Sequence, residues 1–176
     1  MRIHPHCPIN TRIIEVGGLT KLQLIQKLKQ NSILMNEYGN RLFADENFTT
    51  SDTKYNLKTI ELTVMDLGFP NGANTAQLFK RGSEFGLELC PLELGPHLRL
   101  KYLDQPEGYS ADASQQNKAP SGSITIASEI LTKEDDFPKG FYLRRINDVL
   151  WLRGYIADEL HVFWEPEDRF IFVNAK

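Results

Sequence analysis

Four side chains between Phe141 and Tyr155, in FYLRRINDVLWLRGY, could do recognition chemistry: the rings of Tyr142 and Trp151 and the guanidiniums of Arg144 and Arg153. A guanidinium is a planar cation that stacks on aromatic faces and pairs with carboxylate or phosphate. Gathered on one surface, these groups would suit a planar or anionic small molecule or an acidic protein partner. What gathers them is the turn-forming pair Asn147-Asp148, flanked by two apolar, aromatic-rich runs, which is the pattern of a β-hairpin. A two-residue turn there sets Ile146 opposite Val149, Arg144 opposite Trp151 and Tyr142 opposite Arg153. Side chains alternate across a strand, so these six share one face, while Phe141, Leu143, Leu150 and Leu152 share the other, with Arg145 near the turn. The leucine-rich face is the natural core face, each buried side chain contributing about 1.5–3 kcal/mol before entropy. On the first face, an Arg opposite a Trp can stack as a cation–π pair of about 0.5–1 kcal/mol. His161 and Trp164 would extend this surface. The plain alternative is a cross-strand ladder that only covers the outer side of a sheet.

A second group with chemical potential is Glu93, His97 and Arg99, set around Gly95-Pro96. If that bend faced a cleft, Glu93 and His97 could act as base and orienting partner in a small enzyme. Charged side chains at an ordinary solvated strand edge give the same pattern.

Other chemistries lack their signatures. His4, His6 and Cys7 cluster, and Cys90, His97 and His161 lie elsewhere, but there is no CxxC pair and no HExxH stretch. Structural zinc needs four well-spaced ligands, so no metal site is expected. No GxSxG elbow occurs, and Cys90, just before Pro91 in an apolar run, reads as a buried inert thiol. Gly17-Gly18 precedes a helix without the lysine-serine of a phosphate-binding loop, and no cofactor is implied.

Composition narrows the field further. The 176-residue chain is long enough for one domain with a real core. Its net charge of −3 disfavours nonspecific binding to nucleic acid or anionic membrane. No apolar run approaches the length of a membrane span. MRIHPHCPIN lacks the apolar centre of a secretory signal, and two cysteines make no disulfide framework, so a cytoplasmic, reduced protein is expected.

The elements that must position these groups follow from periodicity. Thr11–Val16 reads as a short strand. Thr20 caps a helix running to about Gln30, with Gln23 completing a capping box and Leu19 and Leu24 placed as a hydrophobic staple. A second helix covers Asn36–Phe43. Lys21, Lys27, Lys29 and Arg41 on this helix pair admit a nucleic-acid reading, although the second helix has no basic recognition face. Thr59–Leu67 alternates as a strand. Asn74 or Thr75 opens a third helix ending at Gly86, with Leu78, Gly82 and Phe85 on one stripe. Leu87–Leu94 reads as extended and bent at Pro91, and Leu98–Leu103 as a strand. Asp104–Ser123 is polar and reads as a long mobile loop. Strands are expected at Ser123–Leu131, in the hairpin, at Leu160–Trp164 and at Arg169–Val173.

The predicted fold class is α+β, with N-terminal helices and a C-terminal antiparallel β-meander forming a small barrel or sandwich. Residues 1–97 would form a mixed helical part and 98–176 an antiparallel β part, together one compact unit. The segments GLELCPLELGPHLRLKYLDQPEG (Gly86–Gly108), LWLRGY (Leu150–Tyr155) and DRFIFVNAK (Asp168–Lys176) resemble a family of small, uncharacterised bacterial proteins. That resemblance spans about Leu67 to the end. It implies a bacterial cytosolic protein and supplies no activity, cofactor or catalytic residue. The leading expectation is therefore a binding or interaction module using the Tyr/Trp/Arg face. The alternatives are an acid–base enzyme at Glu93, His97 and Arg99, and a nucleic-acid binder through the first two helices.

Overall fold

The computed structural model describes residues 10–108, 119–156 and 163–175. Strand β1 (Asn10–Val16) leads into α1 (Lys21–Gln30). The predicted capping box is formed: the Thr20 hydroxyl accepts from the Gln23 amide at 3.2 Å, and Gln23 Oε1 accepts from the Thr20 amide at 2.9 Å. The helix buries Leu24 and Leu28, one turn apart. The link to α2 (Glu37–Ala44) is more than a turn, because it contains β2 (Leu34–Met35), which pairs in parallel with Trp151 and Leu152. Asn36 continues this pairing with its side chain. Its amide group exchanges two 2.9 Å hydrogen bonds with the backbone of Gly154, and its Oδ1 also caps α2 at the Gly39 amide.

After β3 (Tyr55–Thr63) and β4 (Ala73–Asn74) comes α3 (Thr75–Glu84), capped at Asn74 with Gln77 closing a second capping box. Gly82 lies where the sequence pattern wanted a small residue. A methyl group there would sit 2.8 Å from the Phe172 ring, so the helix can rest on the sheet only without one. The short β5 (Leu87–Glu88) pairs antiparallel with Val173 and Asn174 near the end of the chain.

The next segment corrects the sequence reading. Leu98–Leu103 is not a strand: Leu94–Lys101 forms α4. Pro96 falls in the first helical turn, where its missing N–H costs no hydrogen bond. Leu94 and Leu98, one turn apart, are both fully buried, and Gly95 lets the helix lie against the Phe141 ring. The Leu98–Leu100–Tyr102 alternation that suggested a strand is thus incidental to a helical Leu94–Leu98 stripe.

Five further strands complete the chain described: β6 (Ile124–Ile126), β7 (Gly140–Ile146), β8 (Val149–Tyr155) and β10 (Arg169–Asn174) in the main sheet, and β9 (Phe163–Trp164), which pairs β4 in a separate ribbon. The main sheet runs β1-β3-β10-β6-β7-β8-β2, with β5 added on β10, and it curls. The fold is α+β as expected, but the sheet is mixed. β10 runs parallel to β6, and β2 parallel to β8, so a purely antiparallel meander is excluded. The helices are not confined to the start of the chain, since α4 reaches Lys101. The final strand inserts between β3 and β6 because Phe170, Ile171, Phe172 and Val173 are apolar on both faces, which suits a central strand covered on two sides. One face packs Leu24, Leu42, Leu98, Phe141, Leu143 and Ile171 into the larger core; the other packs Leu62, Leu78, Trp164, Phe170 and Phe172 into a smaller one. Among the described residues no helix is long and apolar enough to cross a membrane.

Candidate functional site

Asn147 and Asp148 both take positive φ, 51° and 61°, which is the geometry of a type I′ hairpin turn. The register is the one the sequence implies: Ile146 faces Val149, Arg144 faces Trp151 and Tyr142 faces Arg153. Phe141, Leu143 and Leu152 are buried in the larger core, with Leu150 packed against it. The turn is pinned from outside. Arg145 donates to Asp148 and lies 3.4 Å from Glu107, and Glu107 accepts from the Asp148 amide at 3.0 Å.

On the opposite face the burial is graded. Tyr142 and Arg144 are 8% and 7% exposed, whereas Trp151 and Arg153 are half-buried. The cation–π partner differs from the expected one. Arg153, not Arg144, lies over the Trp151 ring, 5.0 Å from its centre, and it also sits 6.0 Å from the Tyr142 ring. Arg153 and Trp151 are two residues apart on one strand, so they point the same way, and Arg153 fills the space between Trp151 and its cross-strand neighbour Tyr142. Burial pushes the Tyr142 phenol up, opposed by the charges of Arg153 and Arg144. Burial pulls the Arg144 guanidinium down; Tyr142 opposes that shift and Arg153 adds to it. Among the described residues no carboxylate lies within ion-pair distance of Arg153, and its buried Nε has no hydrogen-bond acceptor.

Trp164 does not extend this surface outward. It lies in the smaller core with its ring 4.8 Å from Phe170 and 6.1 Å from Tyr155, and its indole N–H donates to the Thr75 hydroxyl at 2.8 Å. His161 lies outside the described residues.

Glu93, His97 and Arg99 are all buried on or beside α4, not at a solvated bend. Glu93 accepts from the Tyr55 hydroxyl at 2.7 Å and from the Ser51 amide at 3.1 Å, which ties the 45–55 segment to the helix. Burial and this carboxylate both push the Tyr55 phenol up. His97, one turn on, accepts from the Gly17 amide at Nε2, 3.2 Å away. A neutral ring then carries its proton on Nδ1. Burial pulls the His97 pKa down, while Glu93 and Glu15 oppose that shift. Arg99 faces elsewhere, since two residues of helix turn the side chain by about 200°. It donates to Gln105 Oε1 at 2.6 Å, to the Trp151 carbonyl at 3.3 Å and to the Tyr102 carbonyl. Burial brings its guanidinium down to about 10, still a cation at neutral pH. The structure therefore brings Glu93 and His97 together and separates Arg99 from both.

Gln105 was hidden in a polar run. It is fully buried and donates to the carbonyls of Gly122 and Leu143, both at 3.0 Å, so residues 104–108 and 119–123 are anchored to the hairpin. The expected mobile loop does not include those flanks; residues 109–118 lie outside the described part. Cys90 is buried, its thiol donates to the Ile171 carbonyl at 3.4 Å, and burial pushes its pKa up, which agrees with an inert thiol. Among the described residues no His, Cys, Asp or Glu cluster could hold a metal. No family model, curated protein or solved structure matches the chain.

Proposed function

We propose that the chain is a binding module that takes up a small planar anion against Trp151 and Arg153. The observation that carries this reading is Arg153: a half-buried guanidinium stacked on an indole, with no carboxylate at ion-pair distance among the described residues. A ring with an attached carboxylate would stack over Trp151 and accept from the guanidinium, both at modest desolvation cost because the site is half open. The acid–base reading is weaker, because both oxygens of Glu93 and the Nε2 of His97 are already engaged by their own chain. The nucleic-acid reading is weaker too, because α2 turns Leu42 and Phe43 into the core and its Gly39 against β8. The absence of a disulfide framework and the likeness to a bacterial family support a cytoplasmic bacterial protein.

The test is a fluorescence titration with indole-3-carboxylate, using cyclohexanecarboxylate as the non-planar anion and tryptamine as the planar cation. Indole-3-carboxylate should bind the native chain more tightly than either comparator. Arg153→Ala should abolish binding, and Arg153→Lys should weaken it by about tenfold, since a lysine keeps the charge but loses the planar fork. Equal binding by the native chain and Arg153→Ala would remove the site.

A further inference from the structure

A cleft of about 770 Å³ opens between the end of α3, β5 and the segments around Phe48 and Ile130. Its floor is apolar and buried, made by Phe48, Leu87, Cys90 and Phe172. Its rim carries exposed polar side chains, among them two carboxylates, Glu88 and Glu129, beside half-buried apolar ones such as Leu92 and Ile130. Among the described residues no lysine, arginine or histidine lines it. The size is that of a small-molecule site, and the lining has the usual form of an apolar body with few polar groups.

From this arrangement we infer that the cleft is a second binding site, for an amphipathic organic cation: an apolar body on the Phe48–Phe172 floor and an ammonium group at the Glu88 and Glu129 carboxylates. Apolar burial would supply most of the affinity, and the two carboxylates would select the sign of charge. An anion of the same shape would lose the attraction and meet two like charges. The Cys90 thiol on the floor takes no covalent part; its proton is held by the Ile171 carbonyl. This site shares no residue with the Trp151–Arg153 face, so the two stand or fall separately.

The experiment is calorimetric titration of the full chain with 4-phenylbutylamine, 4-phenylbutanol and 4-phenylbutyrate. The amine should bind best, the alcohol next and the carboxylate least. Replacing both rim carboxylates, Glu88→Gln with Glu129→Gln, should weaken the amine by about tenfold and leave the alcohol unchanged. Ser83→Trp, at an exposed α3 position on the rim, should block all three by filling the mouth. Arg153→Ala should bind the amine like the native chain. Equal affinity for amine and carboxylate, amine binding that survives Ser83→Trp, or no amine binding at all would each overturn the inference.

Discussion

Arg99 and Arg153 carry the same charge into opposite surroundings. Arg99 is 0% exposed on α4, and its donors end on Gln105 and on the carbonyls of Tyr102 and Trp151. Arg153 is half-buried on β8, beside the Trp151 and Tyr142 rings, and the Nε of each of the two arginines is buried without an acceptor. The first arginine links a helix, a loop and a strand through neutral acceptors. A cation placed so deeply is expensive to bury and is held there by the bonds it makes. Under the proposed function, the second offers its planar donor edge to a ligand. Residue type alone does not separate the two; depth of burial and the acceptors that surround Arg99 do. The same distinction applies to Glu93 and His97, whose acceptors are taken up by Tyr55, Ser51 and Gly17.

Substitutions should separate the two regions by stability. The largest effect is expected from Arg99→Met. It leaves Gln105 Oε1 and two carbonyls without their donor and should cost about 3–5 kcal/mol, read from the urea midpoint. Tyr55→Phe, which removes a donor from the buried Glu93, should cost about 1–2 kcal/mol in the same assay. His97 should then add a smaller, pH-dependent contribution. Its folded pKa lies below the ordinary imidazole value of about 6.5, so the unfolded chain binds the proton more readily. Stability from this group is fully present above the unfolded pKa and falls as pH drops through the window between the two values. Urea midpoints at several pH values should therefore decline on acidification less steeply in His97→Gln than in the native chain. The smallest stability effect should come from Arg153→Ala, about 0.5–1 kcal/mol for the lost ring contacts, although ligand uptake disappears. A large loss of stability in Arg153→Ala would place it with Arg99 and dissolve the comparison.

The parts of this architecture that could be read in advance are those set by neighbours in sequence. The Thr20–Gln23 box, the caps at Asn36 and Asn74 and the Asn147-Asp148 turn each involve a few adjacent residues whose side chains act on their own backbone. Gly82 was legible as a small residue in a helical stripe, which suits close packing on a sheet. The parts that escaped depend on distant partners. α4 was hidden because Gly95-Pro96 reads as a bend unless Pro96 is known to fall in a first turn. The insertion of β10 beside β6 is a choice among strands far apart in the chain, which periodicity does not encode. Gln105 looks like any loop glutamine until Arg99, Gly122 and Leu143 close around it. The cleft draws its floor from Phe48, Leu87, Cys90 and Phe172, residues with no shared local pattern. In the candidate binding face, the register and the two sides of the hairpin were legible. The Arg153–Trp151 stack was not, because alternation says which side chains share a face and not which neighbour each leans on.

The central claim concerns one guanidinium, and NMR can observe it directly. The Nε–H resonance of Arg153, assigned by its loss in Arg153→Lys, should shift as indole-3-carboxylate is added and engages the guanidinium. The side-chain resonances of Arg99 should stay where they are. A ligand-saturated sample in which the Arg153 signal has not moved, or in which Arg99 responds instead, would contradict the assignment of binding to this face.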